Sequence, residues 1–96
     1  MRPVGPTQNF QVTANTVLTP KGTVLWTYTI SNESASPVTI DFYDTAAADT
    51  ANPVERVKVP ANGVVSVYPN ATLNNGCRIV CSLWTTVIAS VRLIPR

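Results

Sequence analysis

The stretch "TVLWTYTIS", residues 23–31, decides the fold class. Apolar and polar side chains alternate along it, with Val24, Trp26, Tyr28 and Ile30 on one face and Leu25, Thr27, Thr29 and Ser31 on the other. A period of two marks a strand with one buried face, and the β-branched and aromatic content agrees. The reading places Trp26 and Tyr28 in a core, together with Phe42 further along.

Reading outward toward the C-terminus, "NESASP" (32–37) is a loop, because Asn, Ser and Pro each favour turns. Residues 38–43 form the next strand, with Val38, Ile40 and Phe42 inward and Thr39, Asp41 and Tyr43 outward. The two strands are expected to pair antiparallel across a loop of about six residues. "DTAAADTANP" (44–53) is a longer connection whose alanines have room for one helical turn before Pro53. Residues 54–59 follow as a strand, Val57 and Val59 inward, Arg56 and Lys58 outward. Asn62-Gly63 in "PANG" is the strongest short hairpin signal, since both residues tolerate positive φ. It leads to a strand over 64–68 whose Val65 and Val67 match the Val57 and Val59 face. After a loop over 69–76 come strands at 77–82 and 87–93, separated by the bend "LWTT".

Toward the N-terminus, residues 10–19 read as one or two strands broken near Asn15, and residues 1–9, with Pro3, Gly5 and Pro6, as an extended arm. Seven or eight short strands, with turn signals about every ten residues, specify an all-β fold. The expectation is a single antiparallel β-sandwich over 10–96, Ig-like or jelly-roll-like.

A chain of 96 residues is one domain with a thin core. Seven basic and five acidic side chains, scattered along the chain, leave a net charge of +2. That balance argues against disorder and against a nucleic-acid binder, which needs a basic stripe. Histidine is absent from the sequence, which removes the commonest general base and metal ligand. The N-terminal residues lack the apolar core of a signal peptide, and no run approaches the ~20 apolar residues of a membrane helix. Cytoplasmic synthesis and no membrane partner are therefore expected. Cys77 and Cys81, four apart on a strand, would lie roughly 13 Å apart, beyond the ~7 Å reach of a disulfide. They are read as buried free thiols.

Asp41, Asp44, Asp49 and Glu55 are the acids closest together, but the ligand order of a calcium loop is missing. They are read as caps and turn formers. No G-x-S-x-G elbow occurs, and no histidine is available to activate a nucleophile. Neither enzymatic activity nor a metal or other cofactor is expected. Asn32-Glu33-Ser34 and Asn70-Ala71-Thr72 match glycosylation acceptors formally and are read as products of a turn-rich composition. Trp84 in the bend and Tyr68 beside Pro69 lie at strand ends. Trp84 has three readings: a plug for one end of the sandwich, an interface anchor, or a platform for sugar rings.

Four stretches, "NESASPVTIDFYDT", "VKVPANGVVSVYP", "LNNGCRIVCS" and "ASVRLIPR", resemble a group of small bacteriophage virion proteins. The resemblance spans roughly residues 17–95. It implies an Ig-like or jelly-roll-like sandwich, often trimeric or seated on a larger shell, and carries no catalytic residues. The cysteine pair and the proline-containing arm depart from the pattern. Charged residues make up 12% of the chain against an average near ~25%. So charge-poor a surface suits permanent contact, because free edges are normally guarded by charge. The leading expectation is a capsid decoration protein in the virion, bound outside the shell to the major capsid protein or another virion protein. Its expected contacts are Arg2, Pro3 and Val4 of the arm, with Tyr68 and Trp84. The alternative is a receptor- or glycan-binding module of a head fibre or tail appendage, built on loops 44–53 and 69–76 with Trp84.

Overall fold

The computed structural model describes residues 7–46 and 52–95. These contain nine strands: β1 (Gln8–Val12), β2 (Thr16–Thr19), β3 (Thr23–Asn32), β4 (Val38–Tyr43), β5 (Glu55–Val59), β6 (Gly63–Val67), β7 (Ala71–Leu73), β8 (Cys77–Cys81) and β9 (Val87–Pro95). Two antiparallel sheets stack face to face. Sheet A runs β1-β9-β3-β6, with β7 also on β3, and sheet B runs β2-β8-β4-β5.

β6 lies against Tyr28–Asn32 and β7 against Thr23–Leu25 of the same strand, so the two are collinear halves of one broken strand. The break falls at Tyr68–Asn70, where Pro69 has no N–H to give the ladder and Asn70 takes a φ of 47°. With β6 and β7 counted as one position, both sheets show the strand order of a jelly roll. That order separates the two sandwich types left open by the sequence, because among the described strands only β4 and β5 are consecutive and pair with each other.

Two expectations of local pairing are corrected by this topology. β3 and β4 do not form a hairpin: β3 belongs to sheet A and β4 to sheet B, and residues 33–37 cross between layers. The Asn62-Gly63 turn forms, with Gly63 N–H donating to Pro60 O at 3.1 Å and Asn62 at a φ of 54°. It too joins different sheets. A Cβ on Gly63 would come within 2.7 Å of the Pro60 ring, so the tight reversal requires glycine. The turn chemistry fixes the reversal but not the partner. Val57 and Val59 of β5 and Val65 and Val67 of β6 all face the core, from opposite layers.

A third correction concerns the deciding strand. The pairing of β3 with β9 shifts between Leu25 and Thr27, so Trp26 is the extra residue of a β-bulge. The bulge reverses the alternation. Leu25 points inward opposite Leu93, while Tyr28, Ile30 and Asn32 hold the inward phase beyond it. Trp26 is half-buried and lies outside the core cluster. Tyr28 and Phe42 meet across the two sheets with ring centroids 4.7 Å apart. Ile30, Ile40, Ile79, Val91 and Leu93 fill the space around them. The single helical turn considered for the alanines of 44–53 falls largely on residues outside the described ones.

Candidate interaction surfaces

The topology sends the loops over 13–15, 33–37, 60–62 and 82–86 to one end of the sandwich. Asn32, which closes β3, organises this end and is 1% exposed. Its Nδ2 donates to the carbonyls of Ser36 (2.9 Å), Pro60 (3.1 Å) and, at greater length, Val59 (3.4 Å). Its Oδ1 accepts from the Ser34 N–H at 2.9 Å and the Ser34 hydroxyl at 2.6 Å. Buried in this way, the amide is out of reach of glycosylation in the folded chain. Two backbone bonds complete the tie: Glu33 N–H to Thr86 O at 3.0 Å and Asn62 N–H to Ser34 O at 3.1 Å.

Asn15 acts similarly between β2 and the 82–86 bend. Its Oδ1 accepts from the Cys81 N–H (2.9 Å) and from the Trp84 indole N–H (2.6 Å). Trp84 is half-buried and packs against the core, so its ring closes this end of the sandwich.

The opposite end carries residues 20–22, 44–46, 52–54 and 74–76. Asp44 accepts there from the backbone N–H groups of Asn75 (2.7 Å) and Asn74 (3.2 Å), fastening the end of β4 to the turn before β8. Gly76 sits at a φ of 140°, and a Cβ on it would lie 2.8 Å from the carbonyl oxygens of Thr19 and Thr45. Three chain segments therefore meet around a residue without a side chain.

The cysteines mark the same two ends. Both are buried free thiols facing the core. Burial, reinforced by the nearby Asp44 carboxylate, pushes the Cys77 thiol up to about 12. Cys81 is also raised by burial, and its Sγ donates to Leu83 O at 3.2 Å. Neither thiol is a ready nucleophile at neutral pH.

Asp41, Asp44 and Glu55, close together in the sequence, each take a separate partner. Asp41 pairs across the strands with Arg56, through Nε–Oδ1 at 2.7 Å and Nη2–Oδ2 at 3.1 Å. The Tyr43 hydroxyl also donates to Asp41, at 3.4 Å. Glu55 instead faces inward, accepting from the Tyr28 hydroxyl at 3.0 Å. Burial, then the Glu55 carboxylate, raises Tyr28 well above the usual phenol range. Asp49 is outside the described residues. Among those described, no three Cys, Asp or Glu side chains gather in a metal-holding group.

Of the five expected contact residues, Arg2, Pro3 and Val4 lie outside the described residues. Tyr68 is 72% exposed at the break between β6 and β7. It does not join Trp84: the two line separate depressions, one on the outer face of sheet A and one at the Asn32 end. Gln8 and Asn9, read from sequence as the last residues of the arm, open β1 opposite Leu93 and Arg92.

The edges of the sheets differ in chemistry. β5 carries Arg56 and Lys58, whereas β1 (QNFQV), β2 (TVLT) and β6 (GVVSV) carry no charge. β1 and β2 lie on the same side of the sandwich. Between them Phe10, Val12, Val17 and Leu18 line a shallow crevice of about 250 Å³.

No protein-family model matches this chain, and neither does any curated protein. Among solved structures, it is similar to a protein of Bacillus endospore appendages, described as a family of disulfide-linked pili. The TM-score is 0.46 and the identity 12%, over 94% of this chain and 87% of that one. It is also similar to the coat protein of Tobacco streak virus, with a TM-score of 0.43 and 13% identity over 97% of this chain and 78% of that one. Likenesses at this level place the chain in no family.

Proposed function

We propose that this chain is a non-catalytic structural protein of a bacteriophage virion, a decoration protein bound to the outside of the shell through the β1–β2 side of the sandwich. The observation that carries this reading is the pair of uncharged strand edges, unpaired among the described residues, that flank the Phe10–Leu18 crevice. Edge strands in freely soluble proteins are blunted by charge, proline or a bulge, because bare N–H and C=O groups recruit other strands. Here β5 alone among the four edges has charged side chains. An extended segment of a shell subunit added along β1 or β2 would satisfy those groups and cover the apolar crevice. The arm preceding β1 would continue along the same neighbour, with Arg2 supplying charge-assisted bonds.

Shells prepared without this protein supply the test. Saturable co-sedimentation at a fixed ratio to the major shell subunit is expected, together with a defined oligomer, a trimer, by light scattering. Phe10→Asp and deletion of residues 1–7 should each weaken shell binding at least tenfold, whereas Arg56→Gln, on the β5 edge, should bind as the parent does. A well-behaved free protein that ignores shells would sink the reading.

A further inference from the structure

The outer face of sheet A was not singled out by the sequence, and it is organised in rows. Across the strands, Ser66, Thr29, Ser90 and Gln11 stand side by side, and in the next row Thr27, Arg92 and Asn9 do the same. Tyr68 continues the second row from the end of β6. All of these but Ser66 line a shallow depression of about 580 Å³.

Two features distinguish this face. Thr27 and Thr29 are engaged by the protein itself, through Val67 O at 3.0 Å and the Ser66 hydroxyl at 2.9 Å. Asn9, Gln11, Ser90 and Arg92 are exposed, and their side chains bond to no described residue. They are also direct cross-strand neighbours, Asn9 opposite Arg92 and Gln11 opposite Ser90. Amide and hydroxyl donors and acceptors, unspent by the fold, are therefore packed at the strand spacing of ~4.8 Å. That interval is comparable to the width of a pyranose ring. Secondly, among the described residues that line the depression Arg92 alone is charged, and none is a carboxylate. An unpaired guanidinium presents the fork that matches a carboxylate.

We infer that this face binds an acidic glycan, a uronate- or sialate-bearing polysaccharide lying across β1, β9 and β3. Tyr68 is the stacking platform, its electron-rich ring face meeting the polarised C–H groups of a sugar. Arg92 takes the sugar carboxylate, and Asn9, Gln11 and Ser90 read the hydroxyls. A second copy of this chain is the less suitable occupant of the depression, because the outward side chains of its two rows are polar but for Tyr68, the exposed Val64 and Ile88 standing in the next row beside Ser31. The site shares Phe10 and Gln11 of β1 with the β1–β2 crevice but opens on the outer face of sheet A, and its test is made on the free chain without shells.

The test uses the full chain on an immobilised panel of uronate- and sialate-bearing oligosaccharides, each beside its neutral counterpart. Acidic members are expected to be retained over neutral ones. Titration of the best binder should then show at least a tenfold loss for Tyr68→Ala. Arg92→Gln should bring acidic and neutral sugars to equal affinity. Lys58→Gln, on the other sheet, should match the parent. Unchanged melting of these surface variants establishes that they fold. Retention of no oligosaccharide, or equal retention by the Tyr68→Ala and Arg92→Gln proteins, overturns the inference. So does a change of mass for Tyr68→Ala in light scattering without any glycan binding, which would assign the face to a second copy.

Discussion

At one end of the sandwich a buried amide, Asn32, gathers the 33–37 and 60–62 loops; at the other a half-buried carboxylate, Asp44, receives two N–H groups from a single turn. The difference follows from valence. An amide donates and accepts, so it can be sealed from water and still satisfy carbonyls and N–H groups on several segments. A carboxylate only accepts and keeps its charge, so it stays near solvent and serves donors alone. The Asp44 end is therefore closed by a different device, the missing side chain of Gly76, which lets backbone pack on backbone. One end is held by hydrogen bonds that must all be made, the other by space that must stay empty.

The strongest way to break this contrast is Asn32→Ala. It leaves the N–H of Ser34 without its partner and removes one of two donors from the carbonyls of Ser36 and Pro60, which keep the Ser34 hydroxyl and the Gly63 N–H. At about 1–3 kcal/mol for the N–H left unsatisfied, with about 0.5–1 kcal/mol for each further bond lost, a loss of roughly 2–4 kcal/mol is expected. Chemical denaturation reads it as a lowered midpoint. Asn32→Asp should do nearly as much harm, because a carboxylate cannot donate to those carbonyls. If Asp were tolerated, the two ends would not differ in the way described. Next in size is Gly76→Ala, where a positive φ and two carbonyl contacts oppose any Cβ; about 2–3 kcal/mol is expected.

Alkaline titration sharpens the contrast from the side of the thiols. Cys77 is raised to about 12 in the folded chain from an ordinary value of 9.0. A raised group stabilises fully below its unfolded value and loses that contribution as pH climbs toward its folded one. Stability should therefore fall between about pH 9 and 12, by up to ~1.4 kcal/mol per pH unit from this group. Tyr28, also raised, adds to the decline above its usual range. Denaturation midpoints across that window should flatten in Cys77→Ala relative to the parent, whatever the substitution costs at neutral pH. The smallest effect belongs to Asp44→Asn, which keeps an acceptor but loses its charge. A cost of about 1 kcal/mol is expected, with no effect on labelling of Cys81 by a thiol reagent.

How much of this was legible in the sequence depends on the range of the interaction. Alternation in residues 38–43, 54–59 and 87–93 gave correct faces because period two is a local property of the chain. The same rule misplaced Trp26, since a bulge leaves no mark in composition: it is imposed by the register with β9, more than sixty residues away. Asn62-Gly63 announced a turn correctly and a hairpin wrongly, because a turn fixes direction whereas pairing is chosen by the layers. Asn15 and Asn32 looked like loop formers, and nothing nearby signalled that each would bridge separate loops. The polar rows on sheet A were written in Thr27, Thr29, Ser90 and Arg92 all along. They became a surface only when β1 added Asn9 and Gln11 beside them.

The strand order also sets a timetable. β1 is made first, yet its one neighbour in sheet A is β9, made last. β3, the longest strand, likewise waits for β9 on one side and β6 with β7 on the other. Only β4 and β5 can settle against each other as they emerge. Such a chain accumulates little finished structure during synthesis and closes late, in one cooperative step, at the slow end of the range for small domains. Until then its uncharged strands stay open to one another and to other nascent copies. A chain stopped before Val87 would lack the strand that separates β1 from β3, and sheet A would have no centre to form around.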